Sequence, residues 1–250
     1  MNIVKKISFL LFTLAVLFAC KKESPIDTVA VNGALSGEFS VSKTKKVHFS
    51  QGNLKHPDNH TWSFATNQWE NGDLFEWSHA KEDSSFIDWG INPISNGGNQ
   101  ENQWRTLTMN EWMYLFQGRA NAGYLFGFGK VNGVKGLIIL PDNWDLTSDF
   151  KSATENGYGW NSKNNYKGGK WHEMENSGAV FLPAAGNYLP VEASGQSAGV
   201  YGDYWSATKI SVDSTSIYKT DVFCVDFYQD AFYPNCCARW DYEFSVRLVQ

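Results

Sequence analysis

Apart from Cys20, three cysteines near the C-terminal end offer the side chains best suited to covalent or metal chemistry: Cys224, Cys236 and Cys237. Their spacing contains no Cys-x-x-Cys unit and no histidine lies near them in sequence, so the pattern does not favour a zinc site. A reactive thiolate needs a nearby cation or helix start, and Arg239 is the one cation close to them along the chain. Because their number is odd, we expect one thiol to be unpaired in a monomer or bonded to another chain.

The segment around these cysteines is rich in side chains that suit ligand binding. It lies between two strand-like runs, 222–227 and 244–249, and the first run places Phe223, Val225 and Phe227 on one face. Aromatic rings supply rigid contact area, and Asn and Asp supply adaptable hydrogen bonds. We predict that the ligand-binding residues are Tyr228, Asp230, Phe232, Tyr233, Asn235, Cys236, Cys237, Trp240 and Tyr242. The alternative is a hairpin whose aromatic side chains are partly buried in a tryptophan-rich core, and composition does not separate the two.

The N-terminal segment has the pattern of an export signal. Lysines precede an apolar run, 7–19, that is too short to cross a bilayer as a helix and is typical of a secretory signal. A small residue followed by Cys20 resembles the bacterial lipobox, in which the cysteine is lipidated. We predict a lipoprotein signal peptide over 1–20, a tether over 21–36, and an outer-membrane lipoprotein at the cell surface. The alternative is an ordinary signal peptide with a coincidental cysteine.

Composition indicates many short strands and long ordered loops around an aromatic core. The chain has 11 Trp, 17 Phe and 22 Gly, whereas runs of helix-forming residues are scarce. The net charge is −5 and no basic patch is interleaved with aromatic residues, so we expect no nucleic-acid partner. The five histidines are scattered, and we predict no metal ion or other cofactor.

Local patterns predict the elements that would support such a surface. Thr108 and Glu111 form a capping box at the start of a helix that ends at Gly118. Apolar or alternating runs predict strands at 39–42, 46–50, 136–140, 179–186 and 204–208. The glycine-rich stretch 123–136 is interpreted as a loop between strands, and 70–103 as a solvated insertion.

Five fragments occur in an order that resembles a known family. They are WRTLT (104–108) with Glu111 and Trp112, GLIILPDNW (136–144), FLPAAG (181–186), YWSAT (204–208) and SVRLV (245–249). Together they resemble the Fibrobacter-succinogenes-type major paralogous domain and its Bacteroidetes lipoprotein relatives over about residues 37–250. The resemblance implies an α+β, C-type lectin-like fold near the formylglycine-generating-enzyme type, with small twisted antiparallel sheets, one or two helices and long ordered loops. It implies a single domain that binds a protein or glycan ligand and is not an enzyme.

The resemblance also bears on the C-terminal segment. Variable proteins of diversity-generating retroelements use the same fold, and in them template adenines, commonly in Asn codons, are randomised between framework residues. The resemblance implies such a display segment at about 223–243, where many residues are of types reachable from an Asn codon. Trp240 is not reachable in this way, and Glu243 stands where relatives usually have Gly. Adjacent Cys236 and Cys237 are natural products of random sampling.

Two other functions stay open at this point. One is a formylglycine-generating-type enzyme that uses Cys224 with either Cys236 or Cys237, although the Gly-Gly-Ser-Trp signature of that group is absent. The other is a fimbrial or adhesin subunit, which predicts an exposed edge strand or a donor strand. No Glu-Pro-Asn or Gln-Pro-Asp triplet occurs, so a lectin-type calcium sugar site is not expected.

Overall fold

The fold is a mixed α+β arrangement of small, mostly antiparallel sheets with few helices, which confirms the predicted class. A computed structural model describes residues 32–58, 60–77, 86–161, 163–190, 194–196, 198–210 and 221–250. The predicted signal peptide, its lipidation site Cys20 and most of the predicted tether lie outside these residues. Within the described part of the chain, no helix has the length and apolar character needed to cross a membrane.

Fifteen strands and three α-helices make up the regular structure of the described residues. The strands are β1 (Phe39–Ser40), β2 (Lys46–Val47), β3 (Leu54–Lys55), β4 (Ser63–Phe64), β5 (Phe75–Glu76), β6 (Phe126–Val131), β7 (Val134–Ile139), β8 (Asn165–Tyr166), β9 (Val180–Pro183), β10 (Asn187–Leu189), β11 (Ser194–Gln196), β12 (Tyr201–Lys209), β13 (Asp221–Tyr228), β14 (Ala231–Arg239) and β15 (Glu243–Phe244). The helices are α1 (Met109–Met113), which continues as a π-turn (Tyr114–Gly118), α2 (Ala153–Asn156) and α3 (Gly168–Asn176), with 3₁₀ turns at Trp89–Ile91 and Ala122–Tyr124.

Two sheets face each other across the first core. The central sheet has the order β8-β6-β7-β9, and the C-terminal sheet has the order β12-β13-β14. The first core lies between them and is closed by α1; it includes Trp112, Leu115, Phe128, Leu137, Leu182, Tyr204, Val225 and Phe227. On the opposite face of the central sheet, α3 packs Trp171 and Met174 against Ile138 and Phe181. Both faces of β9 and of residues 136–139 of β7 are therefore buried, which explains their continuous apolar sequences.

A second core covers the other face of the C-terminal sheet. It is built from the aromatic side chains Phe64, Phe75, Trp77, Trp89, Trp104, Trp205 and Phe244 together with Leu54, Val222, Cys224, Val246 and Leu248. The interpretation of 70–103 as a solvated insertion is therefore wrong for its described residues. Its described tryptophans, Trp77 and Trp89, are buried, and single aromatic residues of this kind add no periodic signal to the sequence.

The segment 244–249 passes between the two cores and joins distant parts of the chain. Leu54 N–H donates to the Val246 carbonyl at 3.0 Å, and Arg105 and Val249 exchange two backbone hydrogen bonds of 2.9 Å. All six residues of this segment are buried, and the partners of the segment change along its length. It therefore fixes the position of the C-terminal sheet relative to the N-terminal half.

The predicted helix start is confirmed. Thr108 Oγ1 accepts a hydrogen bond from the Glu111 N–H, and Glu111 Oε2 accepts from the Thr108 N–H at 2.9 Å. Glu111 also receives two hydrogen bonds from Arg105, at 2.7 and 2.8 Å. This network orients α1, whose buried Trp112 packs against the first core.

Two boundaries differ from the sequence-based predictions. The predicted tether ends too late, because Leu35 is buried and its N–H donates to the Phe49 carbonyl at 2.9 Å. The predicted loop at 123–136 contains the strand β6. Its Gly129 is needed because the backbone of Asn164 passes so close that a Cβ would lie 2.3 Å from the Asn164 carbonyl oxygen. A crossing from a distant segment therefore explains a glycine that looked like a loop residue.

Candidate ligand-binding face of the C-terminal sheet

The predicted binding segment forms a β-hairpin rather than an irregular connector. Strands β13 and β14 pair in antiparallel register from Tyr228↔Ala231 at the turn to Asp221↔Arg239 at the base. Asp230 lies in the turn with φ 72°, a conformation that Asp tolerates better than most residues. β13 is the central strand of its sheet, and its Val225 and Phe227 are fully buried.

Strand β14 is an edge strand of this sheet and carries an extra residue. Cys224 lies opposite Cys236 and Asp226 lies opposite Tyr233, so Pro234 and Asn235 together face one residue of β13. This is a β-bulge, and proline suits it because proline has no N–H for the sheet. The bulge changes the direction in which the side chains of β14 point along the strand.

The nine predicted ligand contacts divide into exposed and packed side chains. Asp230, Tyr233, Asn235 and Cys237 are exposed, and 46% of the Tyr233 side chain is accessible to solvent. The others are partly buried: Phe232 packs against the first core, and Cys236, Trp240 and Tyr242 pack against the second. The hairpin thus combines both interpretations of the sequence, since ligand-accessible and core-packed positions alternate along β14.

Phe232 has the most extensive packing of these residues. Its ring centroid lies 4.8 Å from that of Phe116, 5.1 Å from that of Phe126 and 5.7 Å from that of Tyr158. Phe232 and Tyr158 also line a cleft of about 170 Å³ next to α2. An aromatic cleft of this kind is suited to an apolar or sugar-ring contact.

Three tyrosines form a row beside the hairpin turn. Tyr228 lies 5.2 Å from Tyr201 on β12 and 6.2 Å from Tyr233 on β14, measured between ring centroids. A hydrogen bond with Tyr233 raises the pKa of Tyr228 to about 12, so its phenol stays protonated at neutral pH. Tyr201 was not among the predicted contacts, because only the pairing of β12 with β13 brings it here.

Two carboxyl groups lie next to this row. Asp203 and Asp226 are directly opposite each other on β12 and β13. Asp203 is buried and accepts a hydrogen bond from Asn187 Nδ2 at 2.8 Å. Among the described residues, the buried Asp226 Oδ1 has no hydrogen-bond partner. Neither aspartate was predicted; the only signal was a polar residue within each apolar strand run.

Burial sets the protonation of the two carboxyl groups. It raises the pKa of Asp226 to about 6. It raises the pKa of Asp203 well above its usual value, and the negative charge of Asp226 raises it further. Burial therefore opposes ionisation of both groups, and a charge on either one opposes ionisation of the other.

A pair of thiols lies further along the same strands. Cys224 is buried, and Cys236, opposite it, is partly buried. The Cys224 thiol donates a hydrogen bond to the Cys236 sulfur, which lowers the pKa of Cys236 and, together with burial, raises that of Cys224. Arg239, the cation expected near these thiols, donates to both carboxylate oxygens of Asp241 at 2.7 and 2.8 Å. Its charge is therefore directed toward Asp241.

The described residues do not favour a metal centre. Among them, no cluster of three or more His, Cys, Asp or Glu side chains could hold a metal ion. The arrangement instead offers hydroxyl groups, carboxyl groups and exposed aromatic faces, which suit neutral polar ligands and protein surfaces. Comparison of the chain with protein-family models, with curated proteins and with solved structures gave no match.

Proposed function

We propose that the protein is an exported lipoprotein with a C-type lectin-like fold that binds a protein or glycan ligand and carries out no catalysis. The proposed binding face consists of Tyr201, Tyr228, Asp230, Tyr233 and Asn235. The observation that carries the proposal is the anchoring of β13–β14. Two cores hold the hairpin, while its outward side chains are accessible. A rigid scaffold that presents aromatic side chains loses little entropy on binding.

The binding proposal is tested with a glycan array and with a screen of purified cell-surface proteins. Tyr233→Ala is compared with the wild type for any ligand found. Tyr124→Ala serves as the matched control, because Tyr124 is similarly exposed (48% against 46%) but lies outside the face. We expect Tyr233→Ala to weaken binding about tenfold or more and Tyr124→Ala to leave it unchanged. Equal effects of the two substitutions would contradict the assignment of this face.

Diversification by a retroelement is a part of the proposal that needs DNA evidence. Exposed positions such as Asn235 and Cys237 alternate with packed ones, so only some positions can vary without loss of packing. The experiment is to sequence the locus in many isolates and to search for a near-copy of the segment encoding about 223–250. Mismatches restricted to template adenines support diversification. If the segment is the same in all isolates and no near-copy is found, the proposal is reduced to binding of one fixed ligand.

An enzyme of the formylglycine-generating type is the second candidate, because Cys224 and Cys236 lie opposite each other. The hydrogen bond with Cys236 and burial raise the pKa of Cys224, which opposes activation of that thiol. Turnover of a Cys-containing peptide would favour this candidate. A fimbrial subunit would need an exposed edge strand. Strand β14 lies at an edge of its sheet, but Pro234 removes one N–H that a partner strand would need.

A further inference from the structure

The opposed cysteines of β13 and β14 have the spacing that a disulfide requires. Directly opposite residues of antiparallel strands have Cα atoms about 4.5–5.5 Å apart, and disulfides join Cα atoms about 4.4–6.8 Å apart. The register places Cys224 opposite Cys236, and the two thiols are already in hydrogen-bond contact. A bond between them is therefore compatible with the pairing of the two strands.

The two thiols differ in the way that exchange chemistry requires. Cys236 is only partly buried, so a reagent can reach its sulfur, whereas only 2% of Cys224 is accessible to solvent. The hydrogen bond from Cys224 stabilises negative charge on Cys236, which favours the thiolate that attacks a disulfide. Cys236 is therefore suited to attack first and Cys224 to complete the reaction.

We propose that Cys224 and Cys236 form a redox-modification site that closes to an intrachain disulfide by exchange with a disulfide-bearing oxidant. The Cys236 thiolate attacks one sulfur of the oxidant, forms a mixed disulfide and releases the first thiolate. Cys224 then loses its proton and attacks the Cys236 sulfur, which breaks the mixed disulfide and releases the second thiolate. Two protein thiols are oxidised and one external disulfide is reduced to two thiols.

The neighbouring Cys237 is not a partner in this site. Successive side chains of a strand point to opposite faces, so Cys236 and Cys237 diverge. Cys237 lies opposite Phe223 and is exposed, whereas Cys236 packs against the second core. A bond between the adjacent cysteines would require β14 to leave its strand conformation.

The site lies on the two strands that carry most of the proposed binding face, and its chemistry is separate from ligand binding. The disulfide would join β13 to β14 next to the bulge at Pro234 and Asn235, where the pairing of the strands is interrupted. Closing the bond would fix the register of the hairpin at its weakest point. The proposal rests on the register of the two strands and holds whether or not the face binds a ligand.

The test uses the full chain, reduced and then incubated with increasing ratios of oxidised to reduced glutathione. Remaining thiols are alkylated in acid-quenched samples and each cysteine is assigned by peptide mass spectrometry, with Cys20 scored on its own peptide. We expect alkylation of Cys224 and Cys236 to be lost together, with a cross-link between them, in the wild type and in Cys237→Ser. In Cys224→Ser we expect a glutathione adduct to accumulate on Cys236, because the second step is missing.

Two results would overturn the proposal. One is that Cys224 and Cys236 are both still alkylated, and therefore still reduced, at ratios of oxidised to reduced glutathione that already attach glutathione to Cys237. The other is a cross-link between Cys236 and Cys237 in the wild type. Tryptophan fluorescence of each variant, compared with that of the wild type before oxidation, shows whether the variant is folded. If Cys224→Ser prevents folding, the wild type and Cys237→Ser are sufficient for the test.

Discussion

The carboxyl group of Asp226 allows a quantitative test of the electrostatics of the C-terminal sheet. Its buried Oδ1 has no hydrogen-bond partner among the described residues, and it lies opposite a second buried carboxyl group, Asp203. The perturbation is Asp226→Asn, which removes the charge and keeps the shape of the side chain. We expect the variant to be more stable than the wild type at pH 8 and equally stable at acidic pH.

The magnitude follows from the pKa of this group. The usual pKa of Asp is 3.8, whereas burial raises the pKa of Asp226 to about 6. Between these values the folded protein holds a proton that the unfolded chain has released, so the free energy of unfolding falls as pH rises. A difference of about two pH units corresponds to about 3 kcal/mol. Because the side chain is only partly buried, we expect the variant to gain about 2 kcal/mol above pH 7.

The assay is urea unfolding followed by tryptophan fluorescence at about pH 4 and about pH 8. Asp230→Asn is the matched control, since Asp230 lies in the same hairpin but is exposed. We expect the control to change the free energy of unfolding by less than about 0.5 kcal/mol at both pH values. A gain for Asp226→Asn of equal size at both pH values, or a loss at pH 8, would refute the reasoning from buried charge.

Three further predictions concern the hairpin and the helix. Phe232→Ala should lower the free energy of unfolding by about 2–3 kcal/mol and Tyr233→Ala by less than about 0.5 kcal/mol, measured by urea unfolding; similar losses would contradict the division into packed and exposed positions. Glu111→Ala should cost about 2 kcal/mol by removing the capping box and the pair with Arg105, whereas a loss below about 0.5 kcal/mol in calorimetry would show that neither contact matters. Oxidation of the Cys224–Cys236 pair should raise the free energy of unfolding by about 3 kcal/mol, and unchanged urea midpoints with and without reductant would contradict this.

The predicted contribution of Glu111 also has a pH dependence. Burial alone would raise the pKa of Glu111, but hydrogen bonds from Arg105 and Thr108 outweigh it and lower the pKa below its usual 4.5. The stabilisation is therefore complete above pH 4.5 and is lost as pH falls through the lowered pKa. Glu111→Ala should accordingly cost less in strong acid than at pH 7, and an equal cost at both would contradict the ionic role.

Elements with a local signal were predictable from sequence. Thr108 and Glu111 lie three positions apart, so the start of α1 needed no knowledge of the rest of the chain. The apolar run at 136–140 was long enough to identify β7 as a buried strand. The α+β class was implied by the resemblance of the five fragments, whereas the scarcity of helix-forming residues predicted many short strands and long loops.

Features that depend on distant contacts were not predictable. Gly129 of β6 looks like a loop residue until Asn164 is placed beside it, and Trp89 looks solvated until the second core is assembled. The same limit applies to the candidate site. The bulge in β14 fixes which residue lies opposite Cys224, and the pairing of β12 with β13 brings Asp203 to Asp226. Neither register is encoded in any short stretch of sequence.

The position of the segment 244–249 has a consequence for the kinetics of folding. This segment makes backbone contacts with residues near positions 50 and 105, and buried Arg247 lies near Asn53, which is 194 positions away. Contacts of such separation form late, because a long stretch of chain must be ordered before they stabilise it. During synthesis, both cores stay incomplete until Phe244 to Val249 have emerged. The chain is therefore expected to be slow to commit to its native state.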